Sequence, residues 1–307
     1  MRRFNIVVLT VVLLVGLPFY WLLLDNRPGD ARPKDLHIAQ LRQLADSMPG
    51  DKPVRLEGEL TASRSLPRDL FAAGAGLKRE PIAIMAWRLW VPGGKSVMID
   101  SGVTSADAGA MGIERTSPAS QARIEHALRE AALVLFTHEH PDHQAAALRL
   151  AGGIPAGAQF NSAQLPPSPL AQTLPWPHVA LPAPTILGNT PQAVAPGVVV
   201  IPAGGSHTPG SQMIYARLAD GRELLFTGDI ATLRFSWQDL RARSRLISQY
   251  FAPENRHEVY AWLKTIRQLK AEAPRMEVIA GHDQSPLFAQ DGKKPAATTP
   301  FGFELQH

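Results

Sequence analysis

Leu133-Val134-Leu135-Phe136-Thr137-His138-Glu139-His140-Pro141-Asp142-His143 is the stretch on which the reading of this chain turns. Leu133 to Phe136 has the length and character of a short buried strand. Four potential metal ligands follow it within six residues: His138, His140, Asp142 and His143. In an extended segment, residues two apart point the same way, so His138 and His140 can share one ion. Pro141 then breaks the extended run. Asp142 and His143 leave in another direction and can reach a second ion nearby. A polar surface turn would explain one histidine, but not three beside a carboxylate at the end of a buried strand.

This cluster alone does not complete two sites, because a catalytic zinc typically takes three protein ligands and keeps a position for water. Three further candidates lie downstream, each after a strand-like run and a small residue. His207 lies in Gly204-Gly205-Ser206-His207-Thr208-Pro209-Gly210-Ser211, Asp229 in Phe226-Thr227-Gly228-Asp229, and His282 in Ala280-Gly281-His282-Asp283. Singly, each reads as a turn residue. The threefold recurrence of strand, small residue, then His or Asp points to ligands.

The absence of cysteine removes disulfides, thiolate ligands and a cysteine nucleophile. Any metal is therefore left to His, Asp and Glu. The formal net charge of +4 is small for 307 residues. The basic residues from Arg241 to Lys270 alternate with apolar ones and read as a solvated helix face, so no nucleic-acid partner is expected.

Outward from the motif, strands are predicted over 54–60, 82–90, 96–99, 158–161, 197–202, 212–218, 223–226 and 276–280. Helices are predicted over 35–48, 119–132, 144–151, 237–250 and 254–271. The proline-rich stretch 155–196 reads, after its short strand, as a long surface loop. Strands followed by helices, twice over, imply two sheets packed face to face with helices outside.

Arg2 and Arg3 precede an uncharged run, 4–24, with Tyr20 and Trp21 near its end. At 1.5 Å per residue that run just crosses a hydrocarbon core of roughly 30 Å. It reads as an uncleaved transmembrane anchor; a signal peptide is the rival, but no A-x-A-like site follows. The short N-terminal tail places the catalytic domain outside the cytoplasm, in the periplasm if the source is Gram-negative. The division is then 1–24 anchor, 25–53 polar linker and amphipathic helix, 54–290 catalytic domain, and 291–307 polar C-terminal tail.

The ordered set His138-x-His140-x-Asp142-His143, His207, Asp229 and His282 resembles the metallo-β-lactamase superfamily of metallohydrolases, over roughly 54–283. Val97-Met98-Ile99-Asp100-Ser101-Gly102 is similar to the family's early strand-and-Asp motif. The resemblance implies an α+β fold, an αββα sandwich with metal ions at one edge. It implies that His138, His140 and His207 hold one ion, that Asp142, His143 and His282 hold the other, and that Asp229 bridges them. Asp100 would orient a ligand histidine. Zinc is the expected metal, and the same ligands suit Fe, Mn or Co. Two such cations about 3.5–4 Å apart make hydroxide available near neutral pH, with Asp142 placed to protonate the leaving group.

Within that family the chain departs from each subgroup. True β-lactamases carry Cys or Ser where this chain has Asp229. Glyoxalase II enzymes add a C-terminal helical domain, for which the stretch after His282 is too short. Quorum-signal lactonases usually carry Tyr at the position of Thr232, and RNase Z-type nucleases need an exosite that is not visible here. The expected substrate is a small ester, lactone or thioester, with β-lactamase or phosphodiesterase activity, or a non-catalytic metal-binding scaffold, as alternatives. The pocket is expected between 61–79, 166–196 and 232–251, lined by Leu66, Phe71, Leu165, Leu170, Trp176, Leu181, Leu233, Phe235, Trp237 and Tyr250, with Arg68 and Arg234 as its nearby cations.

Overall fold

Strand periodicity sorts the apolar residues into separate cores. In Val198–Pro202, Val198 and Val200 face one core, whereas Val199 and Ile201 face another. In Lys95–Ile99, Val97 and Ile99 face inward while Met98 packs outward. Strands that are apolar on both faces belong to sheets covered on both sides. The computed structural model, which describes residues 2–113, 115–287 and 303–304, has that arrangement.

The strands, in chain order, are β1 (Arg55–Pro67), β2 (Arg79–Val91), β3 (Lys95–Ile99), β4 (Arg115–Thr116), β5 (Leu133–Leu135), β6 (Ala158–Gln159), β7 (Gln192–Ala195), β8 (Val198–Pro202), β9 (Gln212–Arg217), β10 (Glu223–Phe226), β11 (Glu277–Ile279) and β12 (Phe303–Glu304). One sheet runs β12-β1-β2-β3-β5-β6, with β4 beside β1; the other runs β11-β10-β9-β8-β7. Between the sheets lie Leu56, Met85, Trp87, Ile99 and Leu135 from one and Val200, Ile214, Leu224 and Phe226 from the other. The helix Pro118–Glu130 covers the first sheet through Ile124, Ala127 and Leu128. The helices Ile38–Ala45 and Arg256–Glu272 cover the second through Leu41, Val259, Leu263 and Ile266. The four layers are helix, sheet, sheet, helix, as expected.

Several predicted elements have different bounds. β1 and β2 are 13 residues each and run past the core, where exposed Arg64 and Ser65 carry no apolar alternation to reveal them. Pro141 does more than break the strand. It occupies the first turn of a helix, Pro141–Leu148, where its missing N–H is harmless. The single helix expected over 237–250 is two, Arg234–Gln238 and Arg245–Tyr250. Between them Ala242 and Arg243 turn inward, and Ser244 caps the second helix. The helix Ser105–Ala110 and strand β7 lie where no element was expected.

The segment 25–34 differs most from its expectation as a linker. Ala31 is in the core against the helix Arg256–Glu272. Its carbonyl accepts from Lys264 at 2.6 Å, and Lys34 N donates to Thr265 Oγ1 at 2.8 Å. Asp25 accepts from Arg245 through its side chain and from Arg256 through its carbonyl. Polar chain packs well when its groups find such partners. The N-terminal helix, Arg2–Leu24, is apolar and long enough to cross a membrane, and none of its most apolar window is buried in the protein. The tail 291–307 lies outside the described residues except for Phe303–Glu304, which pairs with Glu57 and Gly58 of β1.

Candidate metal centre

The seven candidate ligands come from five places along one edge of the sandwich. The segment after β5 carries His138 and His140, and the first turn of the Pro141 helix carries Asp142 and His143. The loop after β8 carries His207, the turn Gly228–Ala231 after β10 carries Asp229, and the end of β11 leads to His282. Their donor atoms form two groups, each within 4.8 Å: His138, His140, His207 and Asp229, and then Asp142, His143 and His282.

In the first group, His140 Nδ1 lies 3.0 Å from His138 Nε2 and 3.2 Å from His207 Nε2. In the second, His143 Nε2 and His282 Nε2 are 3.4 Å apart, and Asp142 Oδ2 is 3.5 Å from His282 Nε2. Asp229 reaches both groups. Its Oδ2 is 3.6 Å from His207 Nε2, and its Oδ1 is 3.0 Å from His282 Nε2.

Partners on the far side of each ring fix which nitrogen is free. His207 Nδ1 faces Glu254 at 2.8 Å, His143 Nδ1 faces Asp100 at 2.9 Å, and His282 Nδ1 faces the Ala83 carbonyl at 2.7 Å. Each of these partners accepts a proton from Nδ1, so in the neutral rings the Nε2 lone pairs point at one another. Asp229 Oδ1 is buried with no hydrogen-bond donor aimed at it. Lone pairs and a carboxylate oxygen gathered at 3.0–3.6 Å repel unless a cation sits among them. The residues present therefore fit a pair of divalent ions.

Electrostatics divides the site. Burial pushes His138 well below the ordinary imidazole range and takes His140 down to about 3, with His207 adding to the effect on His140. Burial also disfavours charge on His143, but Asp100 and Asp142 outweigh it and raise the ring to about 9. Burial would raise Asp229, yet His282 and Arg243 hold it well below the carboxylate range. Burial would likewise raise Asp142, yet His143 and His282 hold it low, so both carboxylates demand positive charge beside them, which a divalent ion supplies in place of protons.

Asp100 is placed as expected. It sits at a φ of 58°, uncommon for a residue with a side chain. Its carboxylate also accepts from Thr137 N at 2.7 Å, tying β3 to the motif. Glu139, between the two histidines, accepts from Thr208 Oγ1 at 2.7 Å and Gly210 N at 2.9 Å, which pins the His207 loop.

Arg243, read in the sequence as part of a solvated helix face, is instead buried beside the site, and so is the side chain of Glu254, which the sequence did not single out. Arg243 donates to Asp229 Oδ2 at 3.1 Å and to Thr232 Oγ1 at 2.6 Å, and its Nε is 3.4 Å from Glu254. Glu254 in turn holds His207. Both lie among the alternating charges of 241–258, where no local pattern separates an inward charge from a solvated one.

A cavity of about 610 Å³ opens on the ligands. Its walls include Leu66, Leu70 and Phe71, then Ile82 and Ile84 of β2, Met111 and Ile113, and Leu246, Ile247 and Phe251. The stretches 61–79 and 232–251 contribute as expected, but no residue of 166–196 is among the lining. Leu165, Trp176, Leu233 and Trp237 pack into the hydrophobic cores instead, and Tyr250 is exposed. The expected cations are also replaced. Arg68 pairs with Glu80 and Arg234 with Asp283, whereas the cavity's own cations are Arg64 and Arg243.

The family profile described as the metallo-beta-lactamase superfamily matches residues 80–282. Similar solved structures include an N-acyl homoserine lactone hydrolase with N-hexanoyl-L-homoserine bound at its catalytic metal centre. It is 15% identical with a TM-score of 0.58, over 76% of this chain and 94% of that one. A probable metal-dependent hydrolase from Staphylococcus aureus is 13% identical with a TM-score of 0.55, over 81% of this chain and 97% of that one. No curated protein matches the chain.

Proposed function

This chain belongs to the metallo-beta-lactamase superfamily, and from that premise we propose that it hydrolyses carboxylic esters or lactones, or thioesters, using two divalent ions, zinc first among them. That it is a metal-dependent hydrolase follows from the family and the His/Asp groups. The observation that carries the substrate class is the apolar cavity opening directly onto the ligands. Among the described residues, its two cations are poorly placed for an anionic substrate. Arg243 is committed to Asp229 and Glu254, and Arg64 is exposed and donates to the Met111 carbonyl. A phosphodiester would find little compensation there; a neutral acyl group finds an apolar wall.

The bound ions would supply Lewis acidity and lower the pKa of water toward neutrality. His138, His140 and His207 would hold one ion, and Asp142, His143 and His282 the other, with Asp229 spanning both. Arg243 donates to Asp229 Oδ2, the oxygen toward His207, while Oδ1 faces His282. Asp142 lines the cavity beside His143 and His282, and in this reading it would take a proton from the attacking water and pass it to the departing oxygen. The apolar walls exclude bulk water from the acyl group. The solved lactone hydrolase, with its acyl-homoserine product at the metal centre, supports an acyl bond as the target.

The test is a panel of chromogenic esters, lactones, thioesters, a phosphodiester and a cephalosporin, given to the zinc-loaded full chain in detergent. Ester or lactone turnover should exceed that of the phosphodiester and the cephalosporin. If bis-p-nitrophenyl phosphate or the cephalosporin were the best substrate by a wide margin, the substrate reading would be wrong.

A further inference from the structure

The cavity and the N-terminal helix meet. The last turn of that helix, Tyr20–Leu24, packs against the helix Arg245–Tyr250 and against the turn Arg68–Leu70. Leu70 belongs to the cavity wall, as do Leu246 and Ile247. The junction is built from specific contacts. Gly74 N donates to the Leu23 carbonyl at 3.0 Å, and Ala242 N donates to the Asn26 carbonyl at 3.1 Å. Arg245 lies 5.0 Å from the centre of the Trp21 ring and pairs with Asp25. A Cβ at Gly74 would come within 3.2 Å of the Leu24 carbonyl oxygen, so this residue also lets the two segments approach.

The helix has 23 residues, so it spans about 34 Å at 1.5 Å per residue, close to the hydrocarbon thickness of roughly 30 Å. If it crosses the bilayer, its last turn sits at the interface, and so do the elements docked on it. Those elements expose apolar side chains that a water-facing surface does not need. Leu77 is 65% exposed, Tyr250 65% and Phe251 73%, and Phe251 is itself part of the cavity wall. Aromatic residues of this kind favour the membrane interface.

We propose that the cavity mouth faces the membrane surface and that the substrate is a long-chain acyl ester or lactone resident in the bilayer, its chain entering past Phe251. This rests on the hydrolase reading above. Water adds across the acyl C–O bond: the acyl carbon takes the oxygen and ends as a carboxylate. The departing oxygen leaves as an alcohol with one proton, and the other proton goes to solvent, so no co-reactant is required.

Two measurements on the full chain in phosphatidylcholine vesicles test this. The first inserts a Gly/Ser linker of roughly a dozen residues between Leu24 and Asp25, which keeps the anchor and the Asp25–Arg245 pair but frees the domain from the surface. Hydrolysis of p-nitrophenyl palmitate doped into the vesicles should fall roughly tenfold or more, while soluble p-nitrophenyl butyrate changes less than about twofold. Equal rates before and after insertion, or an equal loss on both esters, would overturn the proposal. If the parent chain cleaves neither ester, the ester-hydrolase reading falls and the substrate half of the proposal with it.

The second measurement decides orientation without any turnover. The chain has no cysteine, so Leu77→Cys, Tyr250→Cys and Asp220→Cys each give one spin-labelling site. Asp220 lies before β10, at the opposite end of that strand from Asp229. Labels at 77 and 250 should be accessible to lipid-dissolved oxygen and shielded from a soluble nickel chelate, and the label at 220 should show the reverse. Aqueous behaviour at both 77 and 250 would overturn the proposal.

Discussion

At Asp229 one carboxylate faces both halves of the metal centre, and Arg243 holds it there. Asp229→Asn keeps the shape and an acceptor for Arg243 but removes the charge. It should lower turnover roughly 100-fold or more, with an unchanged far-UV spectrum. The residues behind the two groups distinguish the two proposed ions. Glu254→Gln should weaken the ion held by His207 roughly 10–100-fold and spare the other, whereas Asp100→Asn should do the converse through His143. Titration against a competing chelator reads both constants. Simultaneous loss of both ions in each variant would contradict two separately held ions. The candidate ligands that the structure brings together were legible in the sequence because three histidines and a carboxylate crowd into six residues and the others each come after a strand. Glu254 and Arg243 were not legible, because their burial depends on a helix break at Leu240–Ser244 that helical periodicity does not reveal.

The turns that present the ligands are as constrained as the ligands. A Cβ on Gly281 would lie 2.5 Å from Asp229 Oδ1 and 2.8 Å from the backbone of Gly228, which cannot yield. Gly281→Ala should therefore cost metal affinity and turnover, read by the same titration, although residue 281 ligates nothing. Small residues before His207, Asp229 and His282 were visible in the sequence as punctuation; the structure gives this one its reason. Away from the site, Glu223 latches the helix Ile38–Ala45 to the second sheet. It accepts from Arg42 at 2.7 Å and from Tyr215 at 2.5 Å. Burial works against its charge, but those donors outweigh it and lower its pKa. Its folded value is below the unfolded one, so its contribution is present above the ordinary Glu value and is lost as pH falls through the folded value. Glu223→Gln should lower the melting temperature by roughly 2–4 °C at pH 7, a small effect because Arg42 is partly screened by water. The difference from the parent should shrink as pH falls below the ordinary Glu value and vanish once pH is below the folded one. A constant difference at all pH values would remove the charge from the explanation.

On the scale of the whole molecule, four layers carry the metal edge and a docked N-terminal helix. The layers were legible because their strands alternate between two apolar faces. The docking was not, since 25–34 is polar and gains its place through partners distant in sequence, among them Arg245, Arg256, Lys264 and Thr265. The full chain should stay with membranes through high-salt and carbonate washes. A chain beginning at Asp25 should be soluble, and one beginning at Asp35 should melt at least roughly 5 °C lower, because Arg245 and Arg256 lose Asp25. An equal melting temperature for the two shortened chains would mean that the segment is only a tether. Everything proposed for the chemistry depends on the metal pair. The most direct measurement is elemental analysis of the full chain, purified gently and supplied with zinc: the account predicts two divalent ions per chain, and fewer than one would contradict it.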